Sequence, residues 1–537
     1  MNSLTKSQVA FKTEEITYLD RKSILLDRML LRLFELLRYD GRKVHRRRTR
    51  SVDVATVTQA MLDNPGRFPG FAAHPDIARA WLRNDLLEIM NRGRRGTEVV
   101  VGPRPFHLSA FKLANPKAAQ DYGASDQVWA LLYHADRPIL AQLKEFFGRG
   151  LDPALDRYDK STILDLETLA ILGLADDIEV SPATAAPAEP TRPLCMAQGR
   201  ILADDLRRLL AYDGSVPRNV LADYIRNVIG LHLALLMLRL LRLVPHKVDE
   251  ARQAGASVTC PAEDHAVADC ANCPFGAEIT VDMTDDPASP PGLLARRSAV
   301  DHYGRIPEYV RAVFTVNRLK DYAQVLTASG RRAHARSLAD LLSILHDPPS
   351  DAEGFFGARI ADVLTRDNDG DEEEDPIVRQ IVASDMTSMD RFVELICLQR
   401  LRNEAKRVTE LVDSLTQKNR PGGFLRQTVG SRAPRWFVMS SGLLETLAQI
   451  AVVERNEGRL DTRPVLLDDF VTWLRRRYGF VIYAPTHREV PPDEYAAWQQ
   501  NERALRDRLH EIGFFVDLSD AYNSQTLRPR YQLGSSS

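Results

Sequence analysis

A chain of 537 residues with 44% hydrophobic and 27% charged side chains is too long for one small scaffold and too apolar for a disordered or fibrous protein. Its 71 lysines and arginines against 73 aspartates and glutamates leave a formal charge of −2. That balance excludes a whole-molecule field that steers onto nucleic acid or an anionic membrane, so any such attraction must be local.

At roughly 150 residues per compact unit, the length predicts about three or four of them. The first 23 residues carry no apolar core of the secretory type, and three of the five cysteines fall within fourteen residues instead of spreading as a disulfide framework. A cytoplasmic location is the expectation.

In chain order, residues 24–39 place Leu25, Leu26, Met29, Leu30, Leu33, Leu36 and Leu37 at helical spacing. Directly after that helix comes the densest basic run of the chain: Arg42, Lys43, Arg46, Arg47, Arg48 and Arg50, with His45 among them. Cationic side chains this close can sit on phosphates and release counterions, or they can form a solvated loop. A helix is predicted from His74 to Met90, a strand over Glu98–Val101, and helices near 126–146 and 160–174. Residues 1–177 read as one N-terminal unit. The stretch SPATAAPAEPTRP within 178–193 offers too little apolar area to repay ordering and reads as a linker.

Helices resume at Arg200–Tyr212 and after Pro217. The apolar stretch Ile225–Pro245 reaches membrane-spanning length only by including Arg226, His232, Arg239 and Arg242, so it is expected as a buried core helix and no membrane as a partner. The unit 194–300 closes with Cys260-x4-His265-x4-Cys270-x2-Cys273. Two thiolates from a CxxC turn and a second ligand pair from the same loop suit a tetrahedral zinc. With Cys260, His265, Cys270 and Cys273 all from protein, that site is closed and structural. Thr284–Pro291 reads as a turn.

Helices follow at about 305–327, 331–346 and 352–366. The run DNDGDEEED at Asp367–Asp375 does not fit a calcium-loop register and reads as a solvated acidic loop in a unit spanning 301–436. Lys418, Arg420, Arg426, Arg432 and Arg435 beside Phe424 and Trp436 form a second basic patch whose rings could stack on bases. The last unit, 437–537, takes helices near 442–453, 466–478 and 492–512 with extended runs around Asn523–Ser524, an order compatible with a winged-helix-like α+β unit. Arg475, Arg476 and Arg477 lie on its middle helix. The expected class is mainly α and multidomain, helical bundles with a small zinc-bound loop module.

No phosphate-binding GxxxxGK[ST], GxGxxG, GxSxG or HExxH motif occurs. No catalytic residue is assigned, although a nuclease built from dispersed carboxylates leaves little local pattern. The stretch from Tyr212 to Tyr224, YDGSVPRNVLADY, the run Gly230-Leu-His-Leu-Ala-Leu-Leu236, and the cysteine cluster ending in Cys273-Pro-Phe275 together resemble a subunit of bacterial methylation-associated anti-phage defence systems. That resemblance implies a component encoded beside a methyltransferase, a kinase and an ATPase, acting in phage recognition or effector assembly. The two readings together predict a non-enzymatic, zinc-stabilised adaptor or sensor that binds other defence proteins, an ATPase among them, and touches DNA. The alternatives are a DNA-processing nuclease and a DNA-binding regulator.

Overall fold

The computed structural model describes residues 4–45, 53–91, 98–152, 157–158, 162–253, 273, 275–367, 375–430, 433–484, 489–515 and 526–533. Its helices are α1 Leu26–Arg38, α2 Val54–Leu62, α3 Pro75–Trp81, α4 Ala110–Leu113, α5 Ala124–Ala135, α6 Arg137–Phe147, α7 Leu166–Ala175, α8 Met196–Leu210, α9 Arg218–Arg252, α10 Pro290–Gly304, α11 Ile306–Ala328, α12 Leu338–His346, α13 Ala352–Asp367, α14 Pro376–Val382, α15 Ser388–Leu415, α16 Ser441–Ala451, α17 Leu467–Tyr478 and α18 Pro492–Glu511. The mainly helical expectation holds.

α9 organises the rest. Its middle, residues 227–241, is buried on every side, and such a helix is stable only when other elements cover it all round. Its 35 residues span roughly 50 Å, and α1, α5, α8, α11, α12, α15 and α16 all pack against it. The window long and apolar enough to cross a membrane is 89% buried inside the fold, as the charges within it predicted. One continuous hydrophobic cluster runs from Leu4 to Leu527.

One local reading fails. The helix expected to continue to Met90 stops earlier, and Leu87–Asn91 forms a strand paired antiparallel with Glu98–Pro103, with Ile89 opposite Val100. Cross-strand pairing of β-branched residues overrides the local helical spacing. The turn expected at Thr284–Pro291 is present up to Ser289 and leads into α10, whose first turn is fixed by Pro290 and by the Ser289 hydroxyl accepting from the Gly292 amide at 3.0 Å.

The proline- and alanine-rich segment read as a linker is strapped to the N-terminal helices. Ser181–Pro182 pairs with Val44–His45, the Pro190 carbonyl meets His134 Nε2 at 2.7 Å, and the Thr191 amide donates to the Tyr18 hydroxyl at 2.7 Å. At the C-terminal end, Phe480–Val481 pairs in parallel with Ile279–Thr280 from mid-chain. Val465–Leu466 pairs with Thr526–Leu527, and Phe515 bridges Leu527. Asn523–Ser524 and most of the acidic run Asp367–Asp375 lie outside the described residues.

Candidate functional site

The densest chemistry in the described structure is a polar node where α8, α9 and the end of α17 meet. α8 buries the stripe Ile201, Leu202, Leu206 and Leu209. Asp205, one turn from each of Ile201, Leu202 and Leu209, is carried inward with it. Gln198 lies two turns earlier on the same face. α9 supplies His232 from its all-buried middle. α17 buries Phe470, Leu474 and Tyr478 at a spacing of four, which places Arg477 beside Tyr478 at the rim of the same face.

These side chains converge on one carboxylate. His232 Nε2 lies 2.8 Å from Asp205 Oδ2, the Tyr478 hydroxyl donates to the same oxygen at 2.8 Å, and Arg477 Nε donates to Oδ1 at 2.9 Å. Arg477 also reaches Asp204 at 2.7 Å. On the far side of the imidazole, the Gln198 amide nitrogen contacts His232 Nδ1. An amide nitrogen can only donate, so Nδ1 accepts and the proton sits on Nε2, facing Asp205.

Electrostatics agrees with that assignment. Burial would raise Asp205, but the charge of Arg477 and the hydrogen bond from His232 outweigh it and hold the carboxyl below its ordinary value. For His232, burial outweighs the neighbouring carboxylate, so its pKa is lowered and the ring is neutral. Burial and Asp205 together push Tyr478 well above the usual phenol range. A histidine, a carboxylate and a phenol within hydrogen-bond reach would suit acid–base chemistry. Here all three are 0% exposed, so the node joins three helices and presents no reactive atom to a substrate.

His107 and His302 share the neutral state of His232. Burial, helped by Arg218 in one case and Arg242 in the other, lowers them to about 3 and about 4. In the unfolded chain histidine titrates near 6.5. Below that pH the unfolded state binds protons that the folded state refuses, so stability falls as pH falls. The urea midpoint is expected to start dropping below about pH 6.5 and to keep dropping through about pH 4, each pH unit costing about 1.4 kcal/mol per histidine. Asp205, with its folded pKa depressed, adds a further loss below about pH 3.9. A midpoint that stays level from about pH 7.5 to about pH 5 would contradict the neutral buried histidines.

The basic residues singled out in the sequence separate into different surroundings. Arg42 and Lys43 are exposed, with Lys43 3.5 Å from Asp126, while Arg46, Arg47, Arg48 and Arg50 lie outside the described residues. Arg475 pairs with Glu278 at 3.0 Å, Arg476 is exposed, and Arg477 is committed to Asp204 and Asp205. In the second patch, Lys418 and Arg435 both bind Asp413, Arg426 faces Asp285, and Arg432 is not among the described residues. Phe424 and Trp436 are buried and offer no face to a base. Of the four cysteine and histidine positions, Cys273 is described, half-buried with its carbonyl accepting from the Gly276 amide at 2.8 Å; Cys260, His265 and Cys270 are not.

Compared with known proteins, the chain matches the model of the methylation-associated defense system protein MAD7 over residues 6–531. The chain belongs to that family. No curated protein and no solved structure matches it.

In this family member the stretch from Tyr212 to Leu236 has a plain structural role. Tyr212 is buried with its hydroxyl donating to the Gln449 carbonyl at 3.2 Å, and Val216 and Leu221 enter the core. A Cβ added to Gly230 would collide with the Leu26 side chain, so α9 and α1 approach as closely as a glycine allows. The node on Asp205 escaped the sequence reading, although its signal was present. Asp205, His232 and Arg477 each sit at a helical position flanked by apolar neighbours, where an ionisable residue is buried and needs a partner.

Proposed function

We propose that this MAD7-family chain is a non-enzymatic adaptor or sensor subunit that brings other proteins of a methylation-associated defence system together. The carrying observation is that Asp205, His232 and Tyr478, the described group best suited to acid–base work, is sealed and used to lock α8, α9 and α17. What such a frame offers a partner is its outer surface. On α10, Leu293 and Val300 are 48% and 65% exposed, two turns apart on one face.

Within this reading Cys260, His265, Cys270 and Cys273 hold a structural zinc, which fastens a loop of low intrinsic stability. The partners are other proteins of the system, an ATPase among them, and the setting is the cytoplasm. The test is to purify the chain co-expressed with its neighbouring genes and to analyse the preparation by mass spectrometry and elemental analysis. Partner proteins and about one zinc per chain are expected, the metal being lost on Cys273→Ser substitution. A chain that migrates alone and metal-free from that co-expression would overturn the proposal, and so would metal-dependent DNA cleavage by the isolated protein.

DNA contact, in this proposal, runs through Arg42, Lys43, Arg46, Arg47, Arg48, Arg50, Arg475 and Arg476. The ion pairs of Arg477 remove it from that set. Substituting Arg46, Arg47 and Arg48 together is expected to reduce the slope of log affinity against log salt by about 3, close to one unit per phosphate contact. An unchanged slope would take the basic run out of the interface.

A further inference from the structure

A cavity of about 360 Å³ opens between the N-terminal segment, α11, α13 and α15. Two arginines face it. Arg318 on α11 is 2% exposed; its guanidinium donates to the Ser7 carbonyl at 3.0 Å and pairs with Asp321 at 3.0 Å. Its Nε has no hydrogen-bond acceptor among the described residues. Arg359 on α13 lies over the Phe355 ring, 5.2 Å from its centroid and within the reach of a cation–π contact.

Asp321 is the carboxylate that lines the cavity with them, so the lining carries a surplus of one positive charge. Burial, with Arg359 adding to it, lowers the pKa of Arg318. Two guanidinium groups that share one carboxylate repel each other, and an anion between them would relieve that repulsion. The rest of the wall differs in kind. Half-buried Phe355 offers the apolar side, backed by the buried Phe356 and Phe392, while Gln8 and Gln324 bring amides that can both donate and accept.

A planar guanidinium pair matches the oxygens of a phosphate, and an aromatic wall with amides at its edge matches a heterocycle. Ligand cavities run from about 300 to about 1,000 Å³, so this one holds a single base with its sugar and phosphate and is too small for a dinucleotide. We propose that the cavity binds a nucleoside monophosphate, its phosphate between Arg318 and Arg359 and its base against the phenylalanine wall. This site is independent of the adaptor reading and of the zinc loop.

The full-length protein is titrated calorimetrically with AMP, GMP, CMP, UMP, inorganic phosphate and adenosine. At least one monophosphate is expected to bind about tenfold or more tightly than inorganic phosphate and, for AMP, than adenosine. Arg359→Ala should weaken that binding about tenfold with an unchanged melting temperature, since Arg359 is exposed. Gln324→Ala, also at an exposed position, should change the ranking of the four bases. No heat from any monophosphate at millimolar concentration overturns the proposal. Equal affinity for inorganic phosphate and every monophosphate does so too, because it reduces the cavity to a bare anion site. Undiminished binding by the Arg359→Ala protein is the third result that would sink it.

Discussion

Asp205→Ala is expected to destabilise the folded chain by about 3–5 kcal/mol, because it strands a buried charge. Asp205 takes hydrogen bonds from His232, Tyr478 and Arg477 at once. Removing it leaves the Arg477 guanidinium with Asp204 as its one remaining carboxylate, beside the Ile201 carbonyl, and leaves the Tyr478 hydroxyl and His232 Nε2 without an acceptor in the node. Each buried polar group left unsatisfied costs about 1–3 kcal/mol. Asp205→Asn keeps the shape and loses the charge, so it should fall between wild type and the alanine variant. The decisive comparison adds Arg477→Met to an Asp205→Leu background. An apolar pair of similar size should recover part of the loss, because the stranded charge has gone as well. Urea unfolding reads all four proteins, and a loss under about 1 kcal/mol for Asp205→Ala would mean that the node does not bind the three helices together.

Gly479→Ala should produce the second large effect, about 2–4 kcal/mol. Gly479 ends α17 with φ +80, in the left-handed region that costs a residue with a Cβ about 1–2 kcal/mol. A Cβ there would also run into the Ala277 carbonyl. The backbone cannot back away, since the Gly479 carbonyl accepts from the Ile279 amide at 2.8 Å, the first link of the parallel pair Ile279–Thr280 and Phe480–Val481. The strain therefore reaches both the strand and the neighbouring Arg477 and Tyr478. Gly458→Ala provides the control, because Gly458 has a similar φ of +87 but open space around its Cβ position. If both variants lose the same amount of stability in thermal unfolding, the steric part of the argument is wrong and only the backbone term remains.

The basic runs show what a linear pattern can and cannot say. Arg475, Arg476 and Arg477 look alike in sequence, yet successive residues on a helix point about 100° apart. One pairs at the surface, one is free to face solvent, and one turns into the core. The stripe Phe470, Leu474, Tyr478 contained the information that position 477 borders the buried face. The strand Leu87–Asn91 failed for a different reason, since what makes it a strand is its pairing with Glu98–Pro103 further along the chain.

The sequence by itself determined the long helices, the burial of α9 in spite of its membrane-like length, and the resemblance to the defence family, because all of these rest on periodicity or on contiguous residues. Only the tertiary structure decided which charges meet. Asp205, His232 and Arg477 are 27 and 245 residues apart in turn along the chain, and Arg318 reaches a cavity closed by Ser7 and Phe392. Ionisable side chains act over a few ångströms, and distances of that order between remote residues are set by how the apolar faces of the helices pack.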